Sequence, residues 1–215
     1  SISERVFVVS SPQLRHFETK YGLKLQDKSL VMPCSNESLH ESSFYAEGKY
    51  ERPVFVNAGS LARYQCIDET LEAFRIAQSI TPEASLMFLT SDQEKARTLV
   101  SRHGITNVSV GYAEKDELPT ILSQAKYGFV IRDDSAINRV STPTKISTYI
   151  ANGVIPVYSP TIEAFSESAR GIVRLQYRSD DFAKEYREFE KLHLDPVKMH
   201  DSYAAYFDSV LSYDS

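Results

Sequence analysis

Short apolar, β-branched runs alternate with amphipathic stretches along most of the chain. Strands buried on both faces read as near-continuous apolar runs rather than as alternation. The runs at 54–59, 85–90, 108–110, 127–131 and 154–158 therefore predict the strands of a parallel sheet. The stretches between them carry helical spacing. Ile67, Leu71, Phe74 and Ala77 share one face and predict a helix over 67–79. Further helices are expected over 93–103, where Ser91-Asp92 supplies the cap, and over 116–124, 145–151 and 161–168. A last strand is expected at 172–175, and two terminal helices at 180–192 and 196–211. Ahead of this block lie a strand at 6–9, a helix over 12–21 with Leu14, Phe17 and Tyr21 on one side, and a short extended segment at 29–33. Residues 34–52 are polar and read as a loop or linker with at most one helical turn. Regular strand–helix alternation predicts an α/β, Rossmann-like, mostly parallel sheet flanked by helices.

Composition narrows this little. At 215 residues the chain can bury a substantial core, and its net charge of −5 argues against nucleic acid as a general partner. Cys34 and Cys66 form no CxxC pair and no His cluster lies near them, so neither a zinc site nor a disulfide framework is expected. No apolar run approaches the ~18 residues that would span a bilayer. The N-terminal segment lacks the layout of a secretory signal. The strand-like run at 6–9 begins with no lead-in, which suggests a piece of a longer protein. Its unpaired edge would add to a neighbouring sheet or pair with a second copy, an expectation of a dimer through the N-terminal strand.

The stretch 127–160 carries the densest chemistry: YGFVIRDDSAINRV, then STPTKISTYIANG, then VIPVYSP. Arg132, Asp133 and Asp134 stand at the carboxyl end of a buried run, and Thr142-Pro143-Thr144 opens a helix that Gly153 stops. In open α/β sheets ligands bind beyond the carboxyl ends of the strands, and helix N-termini there attract anions. Lys145, near its helix start, opposes the helix dipole and makes best sense beside an anion. Arg132 offers a permanently charged fork, and Asn138 and Arg139 add donors. The alternative is an ordinary βαβ turn with solvated charges. In VFVNAGSLAR, Gly59 permits close backbone approach, with Ser60 and Arg63 just beyond. This is neither GxGxxG nor a P-loop. SLMFLTSD ends in Thr90-Ser91-Asp92, a triplet for which plain helix capping is the favoured account. Tyr112 in GYAE could cover a flat ring. Nucleophile-elbow, HExxH, DxD and Cys–His patterns are absent, and the five His are scattered.

Taken together these segments resemble the C-terminal, nucleotide-sugar-binding half of a GT-B glycosyltransferase of the group 1 type. VSTPTKISTYIANGVIPVYSP is the specific match, and the resemblance extends over nearly the whole chain. It implies the end of an acceptor domain with its linker at 1–33, a polar linker at 34–52, a donor-binding domain at 53–192 and a C-terminal helix packing back over 193–215. It also implies metal-independent transfer of sugar from a nucleoside diphosphate donor, with no cofactor. Diphosphate contacts would fall to Gly59, Ser60, Arg63, Arg132, Thr142, Thr144 and Lys145, and base and ribose contacts to Thr90, Tyr112 and Thr148. The acceptor would be a glycan or lipid-linked molecule met through another domain that also completes catalysis. The setting implied is bacterial surface polysaccharide synthesis in the cytoplasm, with peripheral membrane association of the full enzyme. Three positions depart from the family. Thr148 stands where a Glu usually holds the donor ribose, Gln65 where a Lys is usual, and Val140 where an acidic residue is expected. These departures keep two alternatives open: a non-catalytic sugar-nucleotide-binding scaffold, and a nucleotide-sugar epimerase.

Overall fold

The structure, a computed structural model, describes residues 4–35 and 37–211. Residues 1–3 and 212–215 of the two terminal segments lie outside it. The core is a parallel sheet of β3 (Val54–Ala58), β4 (Ser85–Leu89), β5 (Val108–Gly111), β6 (Tyr127–Val130), β7 (Ile155–Tyr158) and β8 (Leu175–Gln176). Their order is β5-β4-β3-β6-β7-β8. Winding therefore reverses between β3 and β6, the switch point at which Rossmann-like sheets bind ligands. The α/β, Rossmann-like reading is borne out. Phe55 stacks on both Tyr127 and Phe129, with ring centroids 4.7 and 5.2 Å apart, and Phe74 meets it edge-on at 5.5 Å. This aromatic seam joins the two halves across the reversal.

The helices follow the predicted order, with informative shifts. α2 (Ile67–Ile80) buries Leu71, Ala73, Phe74 and Ala77 as its spacing requires. α3 (Gln93–Arg102) starts at Asp92, whose carboxylate accepts from Lys95 N at 3.3 Å. α4 shrinks to Leu118–Leu122. The expected loop after β6 contains a short helix, α5 (Ala136–Val140), capped by Ser135. α6 (Thr144–Ala151) follows, then α7 (Glu163–Ser168), α8 (Phe182–Phe189) and α9 (Pro196–Tyr206). β8 lies three residues later than expected because it is only a two-residue edge strand beside β7.

Ahead of the main sheet, β1 (Val6–Val8) and β2 (Ser29–Val31) form a separate two-stranded parallel pair joined by α1 (Ser11–Tyr21). Ser10 caps α1 and donates its hydroxyl to Val140 O at 2.6 Å, which seats this unit on α5.

Described residues between Cys34 and Tyr50 bond to α6 and the turns that flank it. Cys34 N donates to Thr142 Oγ1 at 3.1 Å, and His40 N donates to Ala151 O at 2.8 Å. Tyr50 Oη donates to Gly153 O at 3.0 Å. Lys49 is fully buried, and its ammonium donates to Leu122 O at 2.8 Å, Asn152 O at 2.9 Å and Ser123 O at 3.4 Å. The carboxyl ends of α4 and α6 both present orphan carbonyls and negative dipole, so one ammonium satisfies both. Among the described residues no helix is long and apolar enough to cross a membrane.

Candidate functional site

At the reversal, the carboxyl ends of β3, β4 and β5 and the first turns of α6 enclose an open cavity of about 400 Å³. Five chain segments converge on it: Ala58-Gly59-Ser60 with Gln65, Leu89-Thr90-Ser91, Tyr112-Ala113, Leu118, and Thr144, Lys145, Thr148 and Tyr149. Gly59 has φ 134°, a region L side chains rarely adopt, and a Cβ there would sit 3.1 Å from Lys145 Cε. Glycine thus lets the lysine lie flat against the backbone at the end of β3.

Lys145 donates from Nζ to Asn57 Oδ1 at 3.0 Å. Its side chain is half-buried, with the ammonium packed between Gly59 and Asn57. That burial, and next the charge of Arg132, pull the ammonium down to about 7. Neither Lys145 nor Arg132 makes an ion pair with a described carboxylate. Two polar atoms nearby are also unmatched: Asn57 Nδ2 and Gln65 Oε1 are buried with no hydrogen-bond partner. Pro143 occupies the N-cap of α6 and no side chain caps that end. Proline has no side-chain acceptor to offer, and the hydroxyl of Thr142 before it accepts from Cys34 N instead. Ile146 N bonds back to Pro143 O at 2.9 Å, which leaves the Thr144 and Lys145 amides at the cavity end without a cap acceptor. Unpaired positive charge, orphan amides and a positive helix end together favour a multiply charged anion.

Of the residues selected from sequence, Gly59, Ser60, Thr90, Tyr112, Thr144, Lys145 and Thr148 line this cavity. Tyr112 is exposed, and Thr90 is buried with its hydroxyl accepting from Asp92 N at 3.4 Å. Arg132 lies outside the lining. It is buried, with its guanidinium 5.6 Å from the Tyr64 ring centroid and Nη1 donating to Ile131 O at 2.9 Å. Arg63 is exposed on a 3-10 turn outside the cavity. Thr142 opens instead onto a second, largely apolar cavity of about 420 Å³ between α1, α6 and α7.

Asn57 and Tyr149 were missed. A polar residue inside the apolar run VFVNAG was a usable signal for Asn57, because buried amides need partners. Nothing local marked Tyr149. Its hydroxyl accepts from Ala58 N at 3.3 Å, and its ring covers Gly128.

The lowered Lys145 has a pH consequence. An anion beside it raises its pKa, so binding takes up a proton when the free ammonium has titrated. Affinity for inorganic diphosphate, a probe for such an anion, is expected to be highest below pH 7 and to fall towards tenfold per unit above it. Titration calorimetry in buffers of different ionisation enthalpy should show net proton uptake at pH 8. An affinity flat from pH 6 to 9 would exclude this.

The strand order and the placement of the cleft define a Rossmann-like fold, and solved structures that share it over nearly the whole chain are GT-B glycosyltransferases, the fold that the sequence resemblance implied. The particular likenesses are distant in sequence. A Staphylococcus aureus TarM variant, solved with fondaparinux, α-GlcNAc-glycerol and UDP, matches with a TM-score of 0.72 at 10% identity, over 99% of this chain and 41% of that one. The pneumococcal O-GlcNAc transferase GtfA, solved with UDP and GlcNAc, matches with a TM-score of 0.68 at 15% identity, over 97% and 43%. WaaB, a lipopolysaccharide outer core galactosyltransferase, matches with a TM-score of 0.69 at 13% identity, over 97% and 59%. The chain thus spans between two fifths and three fifths of the length of these proteins. No protein-family model and no curated protein matches the sequence itself.

Proposed function

We propose that this chain is the donor-binding half of a glycosyltransferase and holds a nucleoside diphosphate sugar in the cavity between β3 and α6. The observation that carries this reading is Lys145: a half-buried ammonium, unpaired by any described carboxylate, at the uncapped start of α6. The diphosphate would lie on the first-turn amides and Lys145, with Gly59 allowing close approach. As the sugar leaves, negative charge builds on the diphosphate, and the fixed ammonium and helix end stabilise it. Arg132 adds positive potential from beneath. Tyr112, exposed at the end of β5, would cover the base. The acceptor would be a glycan or lipid-linked molecule, and the setting bacterial surface polysaccharide synthesis. TarM, WaaG and WaaB lend support, two of them being described as lipopolysaccharide enzymes.

Calorimetric titration with UDP, GDP and their sugars tests the reading. Dissociation constants at or below the millimolar range for at least one nucleotide are expected, with competition by inorganic diphosphate. Absence of binding by every nucleotide and by diphosphate would sink it.

A further inference from the structure

Thr148 does more than line the cavity. Its hydroxyl donates to Glu37 Oε1 at 3.1 Å, across more than one hundred residues of chain. Glu37 is half-buried, makes no ion pair with a described cation, and its Oε2 accepts no hydrogen bond from a described residue. Its segment is held against α6 on both sides, by Cys34 N at Thr142 and by His40 N at Ala151. A carboxylate is therefore held against Thr148, itself a lining residue of the cavity, with one oxygen unused by the described residues.

Its position along α6 matters. Thr144 and Lys145 mark the cationic end, and Thr148 lies one turn further, about 6 Å from Thr144 at 1.5 Å per residue. A carboxylate repels phosphate and accepts from hydroxyls, so the cavity is polarised: anion at the start of α6, hydroxyl donors one turn on. A carboxylate with a free oxygen suits two adjacent hydroxyls better than one. Resting on the donor-site reading above, we propose that Glu37, lying between the anchored Cys34 and His40 and oriented by Thr148, accepts the vicinal ribose hydroxyls of the bound nucleotide. This makes Glu37 a specificity residue that selects ribonucleotides.

The experiment compares UDP, 2′,3′-dideoxy-UDP and inorganic diphosphate on the parent chain, Glu37→Gln and Thr148→Ala. UDP is expected to bind the parent roughly tenfold more tightly than the dideoxy form, the worth of hydrogen bonds to a charged acceptor. Glu37→Gln should shrink that ratio to about two or less and leave diphosphate affinity unchanged. Thr148→Ala should weaken discrimination less, because it loosens the carboxylate without removing it. Diphosphate binding by Glu37→Gln also shows that the variant is folded. An undiminished ribo-to-dideoxy ratio in Glu37→Gln, with diphosphate still bound, overturns this inference and leaves the donor-site reading standing. Failure of the parent to bind diphosphate or UDP overturns both. Loss in Glu37→Gln of a UDP-sugar's advantage over UDP, with the ribo-to-dideoxy ratio intact, also overturns it, by placing the carboxylate on the sugar.

Discussion

Gly128→Ala is expected to lower stability by about 3 kcal/mol or more and to abolish nucleotide binding. Gly128 lies in the middle of β6, fully under the ring of Tyr149. A Cβ there would stand 2.5 Å from Tyr149 Cδ2 and Cε2 and 2.8 Å from Cζ. The ring cannot swing away cheaply, because Tyr149 is 1% exposed and its hydroxyl takes the amide of Ala58. Relief requires α6 to lift from the sheet, and α6 carries Thr144, Lys145 and Thr148. Burial also raises the Tyr149 hydroxyl's pKa well above its ordinary range, so the neutral phenol is maintained throughout the working pH range. Urea unfolding monitored by circular dichroism, with nucleotide titration at zero denaturant, measures both effects. An unchanged midpoint with unchanged affinity would show that the close seat of Tyr149 on Gly128 is not a constraint.

Lys145→Met should have two opposite effects. Loss of one charge-assisted contact weakens diphosphate binding by about 1.5–3 kcal/mol, roughly ten- to 150-fold. The ligand-free protein should become more stable at neutral pH. Lysine has a folded pKa of about 7 against an ordinary 10.5. The unfolded chain therefore binds more protons between those values, and stability rises with pH through that window. Below pH 7 the parent carries the full cost of a buried ammonium, and methionine removes it. Thermal melts at pH 6.5 and pH 10 should show the gap between variant and parent narrowing as pH rises. A variant that loses both stability and binding would mark Lys145 as a structural residue.

The sheet was legible because β6 and β7 are buried throughout and β3 nearly so, which leaves apolar runs, while β4 and β5 still carry β-branched or large apolar residues at most positions. The limits of β3, β4, β5, β6 and β7 differ from the expected ones by a residue or less at either end. β8 was displaced because an edge strand of two residues has no such run. α5 was hidden because five residues, Ala136 to Val140, cannot display a helical period. The cavity-lining residues at strand ends were legible through a general rule about where ligands sit. Thr142 was misplaced by the same rule: its hydroxyl is drawn to Cys34 on the other side of α6. Glu37 and Tyr149 act through long-range contacts, which leave no local trace.

The reversal of the sheet also orders events in time. Phe55 of β3 pairs with Leu86 on one side and with Tyr127 on the other. The strands up to β5 can join as successive near-neighbour units during synthesis, whereas the β3–β6 seam must wait for chain made much later. Forming that seam closes the largest loop in the sheet, the slow kind of step in folding. Both walls of the cleft, the end of β3 and the start of α6, come together only then. A growing chain should therefore gain much of its structure well before the cleft exists, and any ligand of the cleft that is present during refolding should act on the last step alone.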